Sequence, residues 1–351
     1  MNELALLVDD LGRRSFEARL GHRGFPESFD EVLWRNLEDT GLARLTSSQD
    51  AGPADAAIVL SGLARHAAAV PVAETDLLAA WLAGTADVPV PAAGPLTVAI
   101  ADAVESGGRI RGTARDVPWP VGAVVLAART SEALHVAVLA EAPNVDGHNL
   151  VGEPCGSITF DIAANESQVV DLSVADELTR RGAWARCIQI VGAFDAACGL
   201  TVAHTGERVQ FGRRLSNFQA VQHSLAAMAG EIERARATTA LAVAAAADYG
   251  FDHPATDYAV TVAKVTVGRA VGPVTTIAHQ LHGAIGVTAE HRLWLATMRA
   301  RGWVDEFGTT SQYARRFGRM VLAAVDPWDV VGAGHIHASP DNLPSRSLPA
   351  L

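Results

Sequence analysis

Arg208-Val209-Gln210-Phe211-Gly212-Arg213-Arg214-Leu215-Ser216-Asn217-Phe218-Gln219 stands as an island of Gly, Gln and Arg inside a long Ala-rich region. A second island, Gln280-Leu281-His282-Gly283-Ala284-Ile285-Gly286, follows about 70 residues later. Gly inside a helix costs about 1 kcal/mol against Ala, so each island needs a reason. An interhelical turn is one. Close backbone approach of an anionic ligand, helped by Arg and by free N–H groups at a helix start, is another.

Around the islands the chain reads as four long helices joined by short loops. The first opens at Asp176-Glu177 and runs to Leu200; Phe218–Tyr249, Thr256–His282 and Trp303–Ala324 follow. This pattern is an up-and-down bundle. Upstream, from Leu96 to about Leu172, short Val, Ile and Thr runs alternate with Gly, Pro and Asp, as in a small antiparallel sandwich or barrel. Gly107-Gly108 is a hairpin turn there. Residues 1–85 read as helices again. Leu4, Leu6, Leu7 and Leu11 begin one stripe, and Phe29–Leu37 is the next, with Ser28 as N-cap and Gly41 as the C′ glycine. Ala54–Ala69 and Thr75–Leu82 complete the set, the last entered through Pro71, before Pro89, Pro91 and Pro95 close the region. The fold class expected is α+β: an N-terminal helical domain (1–95), a central antiparallel β domain (96–173), a C-terminal four-helix bundle (174–330) and an extended tail (331–351).

Composition narrows the function. A length of 351 residues suggests two or three domains. The formal charge of −11 argues against a nucleic-acid partner, which needs clustered cations. Lys264 is the only lysine; Arg carries the rest of the positive charge. No apolar run approaches 18 residues without charge, so no membrane span is expected. Met1-Asn2-Glu3-Leu4 does not open a signal peptide. Cys155, Cys187 and Cys198 are scattered and read as buried thiols of a reducing cytoplasm. His22, His66, His135 and His148 lack metal-ligand spacing, and His335 and His337 lie in the tail, so no metal site is expected.

The two islands, in this order and at this separation, resemble the acyl-CoA dehydrogenase family. There an Arg-x-x-Phe-Gly turn followed by Phe-Gln, and a later Gln-x-x-Gly-Gly-x-Gly turn, bind the ADP half of FAD, largely for a neighbouring subunit. The resemblance implies that Arg208, Phe211, Gly212, Phe218, Gln219, Gln280, Gly283 and Gly286 contact FAD. Ala284 departs from the pattern where the family usually has Gly. The order of helices, small β domain and bundle is also the family's, so the resemblance covers almost the whole chain, with the motifs in its C-terminal half. It implies α,β-desaturation of an acyl-CoA thioester: a carboxylate takes the α proton while the β hydrogen leaves as hydride to the flavin.

The base and the flavin-ring loop do not match. Most members open their last long helix with a Tyr-Glu-Gly-Thr segment. Here Val304-Asp305-Glu306-Phe307-Gly308-Thr309 puts Phe307 at the base position and Glu306 one residue early. One residue on a helix is about 100° of rotation. Glu306 is thus either a base restored by a local bulge or, with Asp305, a first-turn acid complementing the helix dipole. The window in which a second lineage carries its base, Arg180-Arg181-Gly182-Ala183-Trp184, holds no carboxylate. The family's flavin-ring loop is replaced by Leu96–Asp102 with no Gly-Ser pair. This pattern resembles the shorter chain of actinobacterial α2β2 acyl-CoA dehydrogenases, as does Val70-Pro71-Val72-Ala73-Glu74-Thr75. The resemblance then implies a longer α chain as partner, an acyl-CoA substrate and electron-transfer flavoprotein as acceptor. A self-sufficient homotetramer using Glu306, and a non-catalytic scaffold, are the alternatives.

Overall fold

The computed structural model describes residues 2–21, 23–47, 51–139 and 144–332. The N-terminal part holds α1 (Glu3–Ala18), α2 (Glu31–Asp39) and α3 (Pro53–Arg65). Asp30, not Ser28, caps α2: its carboxylate accepts from the Leu33 N–H at 2.9 Å. Ser28 lies outside the helix, where its carbonyl and hydroxyl accept from Arg19. Gly41 follows the C-cap Thr40 with φ +74°, as expected.

The expected fourth helix is wound wider. Ala73–Ala80 is π-helical and runs into α4 (Trp81–Thr85). This winding leaves Glu74 and Asp76 buried, in the kind of segment that recurs at functional places. Asp76 accepts from the Thr46 N–H at 3.1 Å and the Thr46 hydroxyl at 2.9 Å. Burial pushes its pKa up to about 6 against those bonds. The native state therefore holds this proton to higher pH than the unfolded chain, whose carboxyl ionises near 3.8. Stability from this group is full below pH 3.8 and is lost as pH rises towards 6. Asp76→Asn should remove that dependence. Between about pH 5 and 7.5 the variant should gain about 1 kcal/mol on the wild type in urea midpoints. A difference that does not change with pH would mean Asp76 ionises alike in both states.

The β domain is one seven-stranded sheet in the order β5-β6-β2-β1-β3-β4-β7. Its strands are β1 (Leu96–Ser106), β2 (Arg109–Pro118), β3 (Ala123–Arg129), β4 (Leu134–Leu139), β5 (Val145–His148), β6 (Pro154–Ala163) and β7 (Gln168–Val170). Gly107 and Gly108 both have positive φ and close the β1–β2 hairpin. The sheet is not wholly antiparallel, as the sequence suggested. The second half of β1 pairs antiparallel with β2, but Leu96–Asp102 pairs in parallel with Ala123–Arg129 of β3. The chain returns beside the start of β1 through Gly122, where a Cβ would lie only 1.9 Å from the Pro95 carbonyl oxygen.

The C-terminal part holds α5 (Ser173–Glu207), a small hairpin of β8 (Val209–Gln210) and β9 (Arg213–Arg214), α6 (Gln219–Tyr249), α7 (Pro254–His282), α8 (Leu293–Trp303) and α9 (Thr310–Ala323). The expected single helix Trp303–Ala324 is two helices. Phe307 (φ +54°) and Gly308 (φ +106°) break it, and Thr309 starts α9 in a capping box with Gln312. α5 is long and apolar enough to cross a membrane by length and composition, although Arg186 and Asp195 break its uncharged run as expected, and 56% of its apolar window is buried within the protein. It is the central core helix, packed on α3, α6, α7 and α8. Gly192 lets α3 approach, since a Cβ there would lie 2.2 Å from the Ser61 carbonyl oxygen. One continuous core joins the N-terminal helices, the sheet and the bundle. Cys155 and Cys187 are buried, their thiols pushed up to about 12 chiefly by burial; Cys198 is only half-buried. Residues 331–332 belong to α10 (Pro327–Gly332) instead of an extended tail. The rest of that tail, with His335 and His337, and His22 lie outside the described residues.

Candidate functional site

The first island joins the C-terminus of α5 to the N-terminus of α6. Arg208 is the C-cap of α5 and is exposed. Phe211 and Gly212 form the two-residue tip of the β8–β9 hairpin, both with positive φ, and the Phe211 ring is 90% exposed. A non-glycine residue in that conformation at an exposed tip is unusual. Phe218 sits at the base, edge-on to Phe211 and under the Arg213 guanidinium at 4.0 Å. Gln219 opens the 31-residue α6 with no side-chain cap; the Val221 and Gln222 N–H groups both donate to the Phe218 carbonyl at 3.0 Å, which leaves those of Gln219 and Ala220 without a side-chain cap.

The second island is the C-terminus of α7. Gln280 is exposed in the last turn, Gly283 ends the helix with φ +66°, and Gly286 is buried in the short 3₁₀ turn that follows. A Cβ on Gly283 would meet nothing within 4 Å, whereas one on Gly286 would lie 2.8 Å from the His282 Cβ. His204 of α5 stacks on His282 of α7, ring centroids 4.6 Å apart, so the roots of the two islands touch. Of the eight island residues, Arg208, Phe211, Gly212, Gln219, Gln280 and Gly283 are exposed, Phe218 is half-buried and Gly286 is buried.

Glu306 lies elsewhere, in the break between α8 and α9. It precedes the cap Thr309 and is not a first-turn acid of α9. Its carboxylate accepts from Arg186 Nε at 2.6 Å and from Asn149 Nδ2 at 3.3 Å. Arg186 is buried on α5 and also donates to Glu74 Oε1 at 2.5 Å and Gln189 Oε1 at 2.6 Å. Burial opposes its charge, but Glu306 and Glu74 outweigh that and hold it ionised. Glu153, also buried, accepts from Trp303 Nε1 at 3.0 Å and Asn149 Nδ2 at 2.8 Å, and burial raises its pKa. Lys264 Nζ donates to the carbonyls of Val304 and Glu306, both at 2.8 Å, and Tyr313 Oη to that of Phe307 at 3.1 Å. These bonds hold the strained turn in place.

The turn brings together the two windows in which a base was sought. The Phe307 ring covers Gly182 so closely that a Cβ there would lie 2.4 Å from it. On the sheet side Val151 covers Gly302 in the same way, also at 2.4 Å. The cavity beside Arg186, Glu153 and Trp303 measures about 10 Å³, room for one water at most. Sequence reasoning missed Arg186, Glu153, Asn149 and Lys264. Two signals were available: Lys264 as the only lysine, and an Arg inside the apolar run from Ala183 to Ile190.

Comparison with known proteins agrees with this architecture. Residues 172–316 match the family described as acyl-CoA dehydrogenase, C-terminal domain. Acyl-CoA dehydrogenase IpdE2 of Mycolicibacterium smegmatis is 27% identical over 312 residues, 87% of this chain and 90% of that protein. A chain of the ChsE4-ChsE5 complex from Mycobacterium tuberculosis superposes with a TM-score of 0.80 at 23% identity, over 92% of this chain and 98% of that one. Butyryl-CoA dehydrogenase from Megasphaera elsdenii gives 0.75 at 16% identity, over 92% and 99%. Both structural likenesses bear on the fold.

Proposed function

Because this chain belongs to the acyl-CoA dehydrogenase family, we propose that it is one subunit of a hetero-oligomeric, FAD-dependent acyl-CoA dehydrogenase whose longer partner chain carries the catalytic base. The observation that carries this reading is the filled cleft between sheet and bundle. Phe307 on Gly182, Val151 on Gly302 and the Glu306–Arg186–Glu74 ion network occupy the space that a substrate and a flavin ring would need. The cavity left beside them measures about 10 Å³, and on this reading the ring half of FAD is held by the partner chain. What supports the islands as the place of the ADP half is an exposed Arg208, the uncapped Gln219 and Ala220 N–H groups at the start of α6, an uncrowded Gly283, and buried imidazole nitrogens of His279 and His282 that have no partner among the described residues. When bound, FAD supplies the hydride acceptor of the desaturation. This chain's part is to bind and orient. Arg208 faces the phosphates, the Phe211 hairpin reaches across to the partner, and Phe307 excludes water and substrate from its own cleft. An acyl-CoA thioester is the substrate class and electron-transfer flavoprotein the acceptor.

Glu306→Gln tests the reading. Glutamine keeps the size and an acceptor for Arg186. With the base on the partner, the complex should retain turnover within a factor of about three and keep its FAD. A fall of about 10²-fold or more with FAD still stoichiometric would make this chain the one that carries the base. The chain purified alone should be colourless and should become yellow on co-expression with a longer homologue. Yellow protein made from this chain alone would favour the homotetramer, and a complex that never takes up flavin would leave a scaffold.

A further inference from the structure

Three guanidiniums meet one buried carboxylate where the loop between α1 and α2 crosses α8. The carboxylate is that of Glu27. Its Oε1 accepts from Arg23 Nε at 3.1 Å and from Arg299 Nη2 at 3.3 Å, and its Oε2 from Arg19 Nη2 at 3.3 Å. Arg23 and Arg299 also share the carbonyl oxygen of Ala67, just past the end of α3. The three heads therefore lie together. Asp30 is the other acid at hand, but its oxygens are taken. Oδ1 accepts from the Leu33 N–H at 2.9 Å and Oδ2 from the Ser15 hydroxyl at 2.5 Å, while Arg19 Nη1 stays beyond hydrogen-bond reach at 3.8 Å. Glu153 faces Arg299 from the cleft, but it accepts from Trp303 and Asn149, and burial pushes it towards the neutral acid.

Three cations thus share two acids, Glu27 and Asp30. Three of their nitrogens are buried with no acceptor among the described residues: Arg19 Nη1, Arg23 Nη1 and Arg299 Nε. A buried donor without an acceptor is unfavourable, and more so on a cation. Burial first, then the neighbouring Arg299, pulls the Arg23 guanidinium down to about 10, and Glu27 only partly offsets them. The cluster is closed on the α8 side, where the Arg299 side chain is wholly buried, and opens on the loop side. There the Arg19 side chain is 16% exposed and that of Arg23 9%, and Gly21 and Gly24 of the same loop are exposed.

We propose that Arg19, Arg23 and Arg299 bind one small monovalent anion, a halide such as chloride, which supplies the acceptor that their orphaned N–H groups lack. One uncompensated positive charge calls for a single negative one. Donors on three separate side chains suit a spherical acceptor better than the two-pronged edge of a carboxylate. The ion acts as a clasp. The Glu27 N–H donates to the Gly152 carbonyl at 2.7 Å, and the Phe25 ring covers Gly152, so the loop that carries Arg23 lies on the turn between β5 and β6. That turn carries Asn149 and Glu153, which border Glu306 and Trp303. Anion binding tightens the loop over the sealed side of the cleft. The site is separate from the two islands and stands whether or not the chain binds FAD.

The test compares the full-length chain in sodium chloride and in sodium gluconate at one ionic strength, gluconate being too bulky for the site. Chloride should raise the melting temperature over gluconate by about 2–5 °C, with saturation. Chloride NMR lines should broaden in the presence of the protein and sharpen again as bromide competes. Crystals grown in bromide should show an anomalous peak beside Arg19 Nη1, Arg23 Nη1 and Arg299 Nε. Arg23→Gln, at the rim, removes one donor and the spare positive charge, and should weaken chloride binding about tenfold or more. Glu27→Gln removes the competing carboxylate, so its melting temperature should depend on chloride more steeply than that of the wild type. A cluster held by its own ion pairs moves with neither. Equal melting in both salts, with no protein-dependent broadening of the chloride line, would overturn the site. So would chloride binding that persists at full strength in folded Arg19→Gln and Arg23→Gln variants. Stabilisation by inorganic phosphate with none by chloride would overturn the assignment to a monovalent halide.

Discussion

Arg186→Met is expected to lower the unfolding free energy by about 3–5 kcal/mol. Arg186 is buried and bridges Glu74, buried, and Glu306, half-buried, with Glu153 close behind. Methionine fills much of the same volume, so the loss comes from charge and not from a cavity. Removing the cation leaves carboxylates facing one another in a dry place. They must then ionise unpaired or bind protons, and either outcome disfavours the native state. Urea denaturation at pH 7.5 reads the loss. Adding Glu74→Gln and Glu306→Gln to the variant should restore most of it, because a neutral hydrogen-bonded cluster replaces an unbalanced one. A loss under about 1 kcal/mol in the single variant would show that the network is hydrated and is not the seal of the cleft.

Arg208→Ala should weaken FAD binding by the assembled complex about 10- to 100-fold while leaving the melting temperature within a few degrees. A charge-assisted contact to phosphate contributes about 1.5–3 kcal/mol. Arg208 is exposed at the end of α5 and its side chain makes no ion pair among the described residues, so the fold has little to lose. The measurement is flavin retained after gel filtration together with a fluorescence titration. Full retention would take Arg208 out of the cofactor seat. Arg208→Lys should recover only part, since an ammonium cannot reproduce a bidentate fork.

The architecture was legible because it rests on local signals. Pro89, Pro91 and Pro95 stand before β1, Gly107-Gly108 closes its hairpin, and the islands fall between long helices. The parallel pairing of β1 with β3 was not legible, since register between non-adjacent strands leaves no trace in either segment. The cap of α2 was misplaced by two residues because Ser28 and Asp30 are both good N-caps, and packing of the helix chooses between them. The break at Phe307 was hidden for a different reason. A phenylalanine with φ +54° has no propensity signature and is held there by Lys264 and Tyr313 from other helices. The Arg186 network joins residues 74, 149, 186 and 306, and such separations show no pattern in one sequence.

Lys264 also determines how this protein meets amine chemistry. Its ammonium is buried between α7 and the turn before α9, and the chain has no other lysine. Amine-directed cross-linkers and labels therefore find no side chain to react with on the folded surface. The same reagents become a clock for the bundle, because acylation of Lys264 requires that turn to lift away. Its rate, compared with that of an exposed amine, reports the free energy of opening at one defined point of the core. A partner that docks against the bundle should slow that clock.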